Sequence, residues 1–229
     1  MRPIPTQAES GVSSTAPESQ PLTGWLREPR ALACHFRNDQ PMHSTIFDTP
    51  IINTLMHWLS RLILWLSGWR IEGRAPDVPK YVLIAAPHTS NWDFPVTLMV
   101  CFALRLRVYW MGKSSLFPPI GAGLMRWLGG IPVNRERCGN LVQGTIEAFQ
   151  RSQRLTVIIS PEGTRGKVRH WKTGFYFIAH GAGVPIALGY LDFRQKLAGI
   201  GPLFATMGDI DADMSRIQAF YVDIADRKS

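Results

Sequence analysis

The fold turns on "YVLIAAPHTSNWDFP", residues 81–95. Six apolar residues, Tyr81 to Ala86, are too few for a helix and too continuous for a half-exposed strand. They read as a strand buried on both faces. Pro87 ends it, and Pro95 suits the first turn of a helix, where its missing N–H is not needed, so a helix should begin near Asp93. His88 then lies on the loop at the C-terminal end of a strand, where open α/β sheets carry their ligands.

The same texture recurs along the chain. Strands are predicted at 81–86, 107–111, 130–133, 155–160, 184–191 and 199–206. Helices are predicted at about 94–105, 120–128, 140–153, 174–182 and 211–225, the last capped by Asp209 or Asp211. Strands alternating with helices imply an α/β domain of three layers, with a mixed, mostly parallel central sheet covered by helices. The 229 residues suffice for one such domain with a real core.

Upstream the texture differs. Residues 1–48 are polar, with Pro3, Pro5, Pro17, Pro21, Pro29 and Pro41 and no periodicity, and read as a weakly ordered leader without a secretory signal. Residues 49–73 then read as an amphipathic helix stopped by Gly68 and Gly73. Asn53, His57, Ser60 and Arg61 share one face; Leu55, Trp58, Leu59, Leu62, Leu66 and Trp69 share the other. Two readings stand: a helix packed on the domain, or one lying in the plane of a membrane surface. Arg61 and His57 near its middle oppose a membrane span. The α/β domain is expected over 74–229.

Lys and Arg number 25 against 17 Asp and Glu, for a net charge of +8. That balance favours anionic partners: nucleic acid, acidic headgroups, phosphorylated cofactors or an acidic carrier protein. No zinc pattern, RNP-like motif or recognition helix supports a nucleic-acid-binding module, the alternative the charge raises. Cys34, Cys101 and Cys138 make no CxxC, and Cys101 in its apolar run reads as core.

Whether His88 and Asp93 work together is a question of turn geometry. On one continuous helix, five positions turn the chain by about 500°, some 140° away from a shared face. With 89–92 as a turn, the carboxylate can fold back to the imidazole, fix its tautomer and leave it as a general base. The simpler alternative is an aspartate that only caps its helix. "IISPEGTRGK", 158–167, repeats the layout: strand, proline, then a polar turn with Glu162, Gly163, Thr164 and Arg165. Arg165 offers a planar fork for phosphate. Residues 165–172, with Lys167, Arg169, His170 and Lys172, are the most basic short window in the chain. "GGIPVNRER", 129–137, adds Arg135 and Arg137 after another short strand.

Taken together, these stretches resemble the PlsC-type glycerolipid acyltransferases over roughly residues 78–210. That family's H-x4-D block is matched by His88 and Asp93, its strand ending in Arg by "GGIPVNR" with Arg135, its P-E-G-T-R block by Pro161 to Arg165, and its V-P-I block by 184–186. The order is the family's. The resemblance implies transfer of a fatty acyl group from acyl-CoA or acyl carrier protein to a lysolipid hydroxyl, by default that of 1-acylglycerol-3-phosphate, in phospholipid biosynthesis. It implies His88 as base, Asp93 as its support, and Arg135, Glu162, Gly163, Thr164 and Arg165 around the acceptor's phosphate. It further implies no covalent acyl-enzyme, no metal, no cofactor beyond the thioester co-substrate, no nucleic acid, and a peripheral or monotopic place on the cytoplasmic face of the cell membrane, against the phospholipid surface. Pro87 and Ser160 stand where many relatives have Asn and Phe, so acceptor identity stays open. A relative that binds lipid without turnover is the remaining alternative. The aromatic runs "WMGKSSLF" and "WKTGFYFIA" fit an acyl channel or plain core packing.

Overall fold

A computed structural model describes residues 43–87, 92–133, 141–163 and 171–226, all within the unit Ala33–Ser229. Seven strands form one sheet: β1 (Arg70–Glu72), β2 (Lys80–Ala86), β3 (Tyr109–Lys113), β4 (Gly130–Val133), β5 (Leu155–Ile159), β6 (Ile186–Asp192) and β7 (Leu197–Phe204). Their order is β1-β7-β6-β2-β5-β3-β4. Neighbours pair in parallel except β6 with β7, which run antiparallel. The helices are α1 (Pro50–Leu66), α2 (Asp93–Ala103), α3 (Ala122–Trp127), α4 (Leu141–Arg151), α5 (Gly174–Ala182) and α6 (Ile210–Asp226).

Alternation along the central strands sorts the core into two halves. Val82, Ile84, Val157, Ile186 and Leu188 pack with Phe149, Phe175, Ile178 and Ile217 of α4, α5 and α6. Tyr81, Leu83, Ile158 and Ala187 pack with Leu98, Cys101 and Phe102 of α2 on the other face. This is the three-layer α/β arrangement the sequence predicts. Burial pushes the Cys101 thiol up to about 12, so it is protonated and inert at neutral pH.

Helix α2 is apolar nearly all round, and α1 covers its outer side. A helix hydrophobic on every side is one buried on every side. The face α1 turns inward combines polar and small residues with Ile52, Met56 and Leu64. His57 Nδ1 lies 2.9 Å from the carbonyl of Phe102, Asn53 donates to the carbonyl of Phe47, and Ser60 and Leu64 are buried. Its large apolar side chains face outward: Ile51, Leu55, Leu59, Leu62, Ile63, Leu66, Trp58 at 61% and Trp65 at 73% exposure. The helix thus packs on the domain, as one of the two readings expects, and presents an apolar face outward. No described helix is long and apolar enough to cross a membrane.

Two boundaries differ from those read in the sequence. Residues 43–48, assigned to the leader, are packed: Ile46 and Phe47 are buried, with Phe47 4.8 Å from the ring of Phe102. Asp48 pairs with Arg107 at 2.6 Å. Two adjacent apolar residues carry no period, so nothing local marks them as core. The amphipathic helix, read through to residue 73, stops at Leu66. Gly68 takes the left-handed conformation at φ +77°. Trp69 N–H donates to Leu64 O at 2.8 Å and Gly68 N–H to Trp65 O at 3.0 Å, closing a Schellman motif. Leu64 and Trp69 join one apolar cluster, and the chain enters β1. Replacing Gly68 with alanine is expected to lower unfolding stability by about 1 kcal/mol, read from urea denaturation, because a Cβ opposes positive φ.

Candidate active site

Strands β6, β2, β5, β3 and β4 all run in one direction, so their C-terminal ends lie along one edge of the sheet. Strand β2 leads to Pro87 and then residues 88–91, and β5 to residues 160–173. These two strands are immediate neighbours, with Ile84 paired to Ile159. Strand β5 ends at Ile159, and Ser160 to Gly163 form the turn directly beyond it. The two loops singled out in the sequence therefore leave the same edge from adjacent strands.

Of the residues predicted for the site, Asp93, Glu162 and Gly163 are described. His88, Arg135, Thr164 and Arg165 lie outside the described residues, as do Arg137, Lys167, Arg169 and His170.

Asp93 is the first residue of α2 and is only 2% exposed. It is not the cap: Trp92 holds that position. A carboxylate is thus buried at the helix start. A buried carboxylate requires hydrogen-bond or charged partners to be tolerated at all.

Glu162, at 9% exposure, is also buried. Its turn is closed by Gly163 N–H donating to Ser160 O at 3.2 Å, with Gly163 left-handed at φ +63°. Behind it stands α6. Tyr221 donates its hydroxyl to Gly189 O at 3.0 Å and meets Trp171 edge-to-face at 5.2 Å. Burial above all, and then the negative charge of Glu162, raise the Tyr221 phenol well above its usual range. The hydroxyl thus stays protonated and holds its bond to β6 beside Ala85 of β2.

Sequence reading overlooked Lys113, the last residue of β3 and exposed at the same edge. In the order β2-β5-β3-β4, Lys113 springs from two strand spacings beyond β2, about 10 Å away. A lysine that ends an apolar strand was the signal available. Past it, Leu116, Ile120 and Leu124 are exposed, an apolar strip on the segment leaving β3. Of the aromatic runs, Trp110, Phe175 and Tyr176 are core. Trp110 stacks on Phe117, meets Phe94 edge-on and donates its N–H to Leu128 O at 3.0 Å. Phe177 alone of that group is largely exposed.

The sequence matches the model of the family described as Acyltransferase over residues 70–187. Among solved structures, the chain is similar to the crystal structure of the 1-acyl-sn-glycerophosphate (LPA) acyltransferase PlsC from Thermotoga maritima. The TM-score is 0.60 at 16% identity, over 79% of this chain and 81% of that one. At that identity the likeness is one of fold. No curated protein matches the sequence.

Proposed function

The chain belongs to the acyltransferase family, an enzyme family, and from that premise we propose that it transfers a fatty acyl group from a thioester to the hydroxyl of a phosphate-bearing lysolipid. The donor is acyl-CoA or acyl carrier protein, and the acceptor by default 1-acylglycerol-3-phosphate. The observation that carries the reading is the Asp93 carboxylate, buried at the start of α2 without serving as its cap, next to the edge where β2 and β5 deliver their loops.

His88 takes the proton of the acceptor hydroxyl as its oxygen attacks the thioester carbonyl. Asp93 orients the imidazole and stabilises the imidazolium. The tetrahedral intermediate collapses, the C–S bond breaks, and His88 returns the proton to the leaving thiolate. One C–O bond forms for the C–S bond lost, and no acyl-enzyme intervenes. Arg165, Arg135 and Lys113 supply positive charge for phosphate, while Glu162, Gly163 and Thr164 shape the turn that carries Arg165. No resident cofactor or metal enters this chemistry.

The lipid surface is the second element of the reading. The outward apolar face of α1 supports an in-plane contact with phospholipid, with tryptophans at interfacial depth. The positive balance of the chain suits an anionic leaflet. We accordingly assign the enzyme a peripheral or monotopic position at the cytoplasmic face of the cell membrane.

Replacing Asp93 with asparagine tests the pair directly. The side chain keeps its size and loses its charge. Lysolipid-dependent thiol release from acyl-CoA is expected to fall about 100-fold or more, with little change in KM. A variant with wild-type turnover would remove Asp93 from the mechanism.

A further inference from the structure

We propose that Lys172 is an anion-binding residue of the acyl-transfer crevice, whose ammonium holds a substrate phosphate; this deepens the acyl-transfer reading and rests on it. Two observations fix its place. The Lys172 N–H donates to Pro161 O at 2.8 Å, which pins residue 172 to the start of the Pro-Glu-Gly turn. Its side chain then lies across that turn. A Cβ built on Gly163 would stand 2.9 Å from Lys172 Cε and 3.0 Å from both Cδ and Nζ. The ammonium nitrogen therefore rests over the Gly163 backbone at the C-terminal end of β5, beside the end of β2.

A free lysine stem loses rotamer entropy when its head group grips a ligand. Here the stem is already laid along backbone that only glycine leaves open, so part of that loss is taken in folding. Among the described residues, no carboxylate forms an ion pair with Lys172. Neighbouring Glu162 is buried in the turn with the Tyr221 phenol near it, while Lys172 is exposed. The arrangement presents an exposed positive charge, its stem laid along the Gly163 backbone, on the edge where the reaction is assigned. A compact ammonium binds phosphate as a point charge.

Two substrates carry that chemistry, the lysolipid headgroup and the donor's coenzyme A. The experiment compares the full chain with Lys172→Met and Lys172→Arg. Binding of sn-glycerol 3-phosphate and of coenzyme A is measured by calorimetry, and thermal unfolding is followed for each variant. Lys172→Met is expected to weaken one of the two ligands by about 10-fold or more, and Lys172→Arg to restore much of the loss. Weakened glycerol 3-phosphate identifies the acceptor phosphate as the ligand; weakened coenzyme A identifies the donor's. In turnover, the acceptor case lowers the ratio of kcat/KM for lysophosphatidic acid to that for a monoacylglycerol, and the donor case raises KM for acyl-CoA. Equal binding by wild type and Lys172→Met, or no binding by wild type, overturns the proposal. Lys172-dependent binding without any thioester consumption would instead keep this site and sink the acyl-transfer reading.

Discussion

Lysolipid-dependent acyl transfer falls by about 10²–10⁴-fold when His88 is replaced with alanine, the range a positioned general base contributes. The effect should appear in kcat, because the imidazole acts on the proton in transit rather than on the bound phosphate. Circular dichroism and the thermal midpoint should stay near wild type, the signature of a residue that acts in turnover rather than in folding. In the double variant with Asp93→Asn, the two losses should not add. An orienting carboxylate has nothing to orient once its imidazole is gone, so the pair should cost little more than His88→Ala alone. Full additivity in that cycle would show that Asp93 acts on something else.

The second large effect concerns α1. Trp58, Leu62 and Trp65 follow one another at helical spacing on the outward face. Changing all three to glutamate should lower partition onto vesicles of phosphatidylglycerol and phosphatidylethanolamine by at least about 100-fold, since each buried side chain of this size is worth about 1.5–3 kcal/mol. Stability in solution should scarcely move, because none of the three packs against the domain. The inner face should behave in the opposite way. Leu64→Ala there removes a buried side chain from the cluster with Val96, Val100 and Ala198 and should destabilise by about 2–5 kcal/mol. Vesicle binding undiminished in the triple variant would assign the outward face to some other partner.

Much of the fold was legible because short continuous apolar runs bounded by turn residues carry their own signature. Strands β2 to β7 and helices α2 to α6 fall within a few residues of where the pattern predicts them. Strand β1 was not legible. Three residues, one of them apolar, carry no period, and their partner Leu197–Gly199 lies far along the chain. Nor could the sequence say which face of α1 turns inward. Polar His57 packs because its ring nitrogen finds Phe102 O, and small Ser60 sits at the contact with it. Those partners exist only once α2 is in place.

The site was legible in part for a similar reason. Proline-terminated strands announced the edge and the loops, and Asp93 and Glu162 proved buried where a solvated turn would leave them exposed. Lys113 was overlooked because a lysine at a strand end forms no motif by itself. Lys172 was visible only as one cation among several in a basic window. Its separate standing comes from a backbone bond to Pro161 and a stem lying over Gly163, contacts that no local pattern encodes.

The most direct measurement is thiol release from acyl-CoA and from acyl carrier protein, with and without 1-acylglycerol-3-phosphate, on the full chain presented with lipid vesicles. The account expects release that depends on the lysolipid and equals the diacyl product formed, mole for mole, with one donor preferred. Release that ignores the acceptor would mean thioester hydrolysis. No release with either donor and any lysolipid would contradict the account at its root.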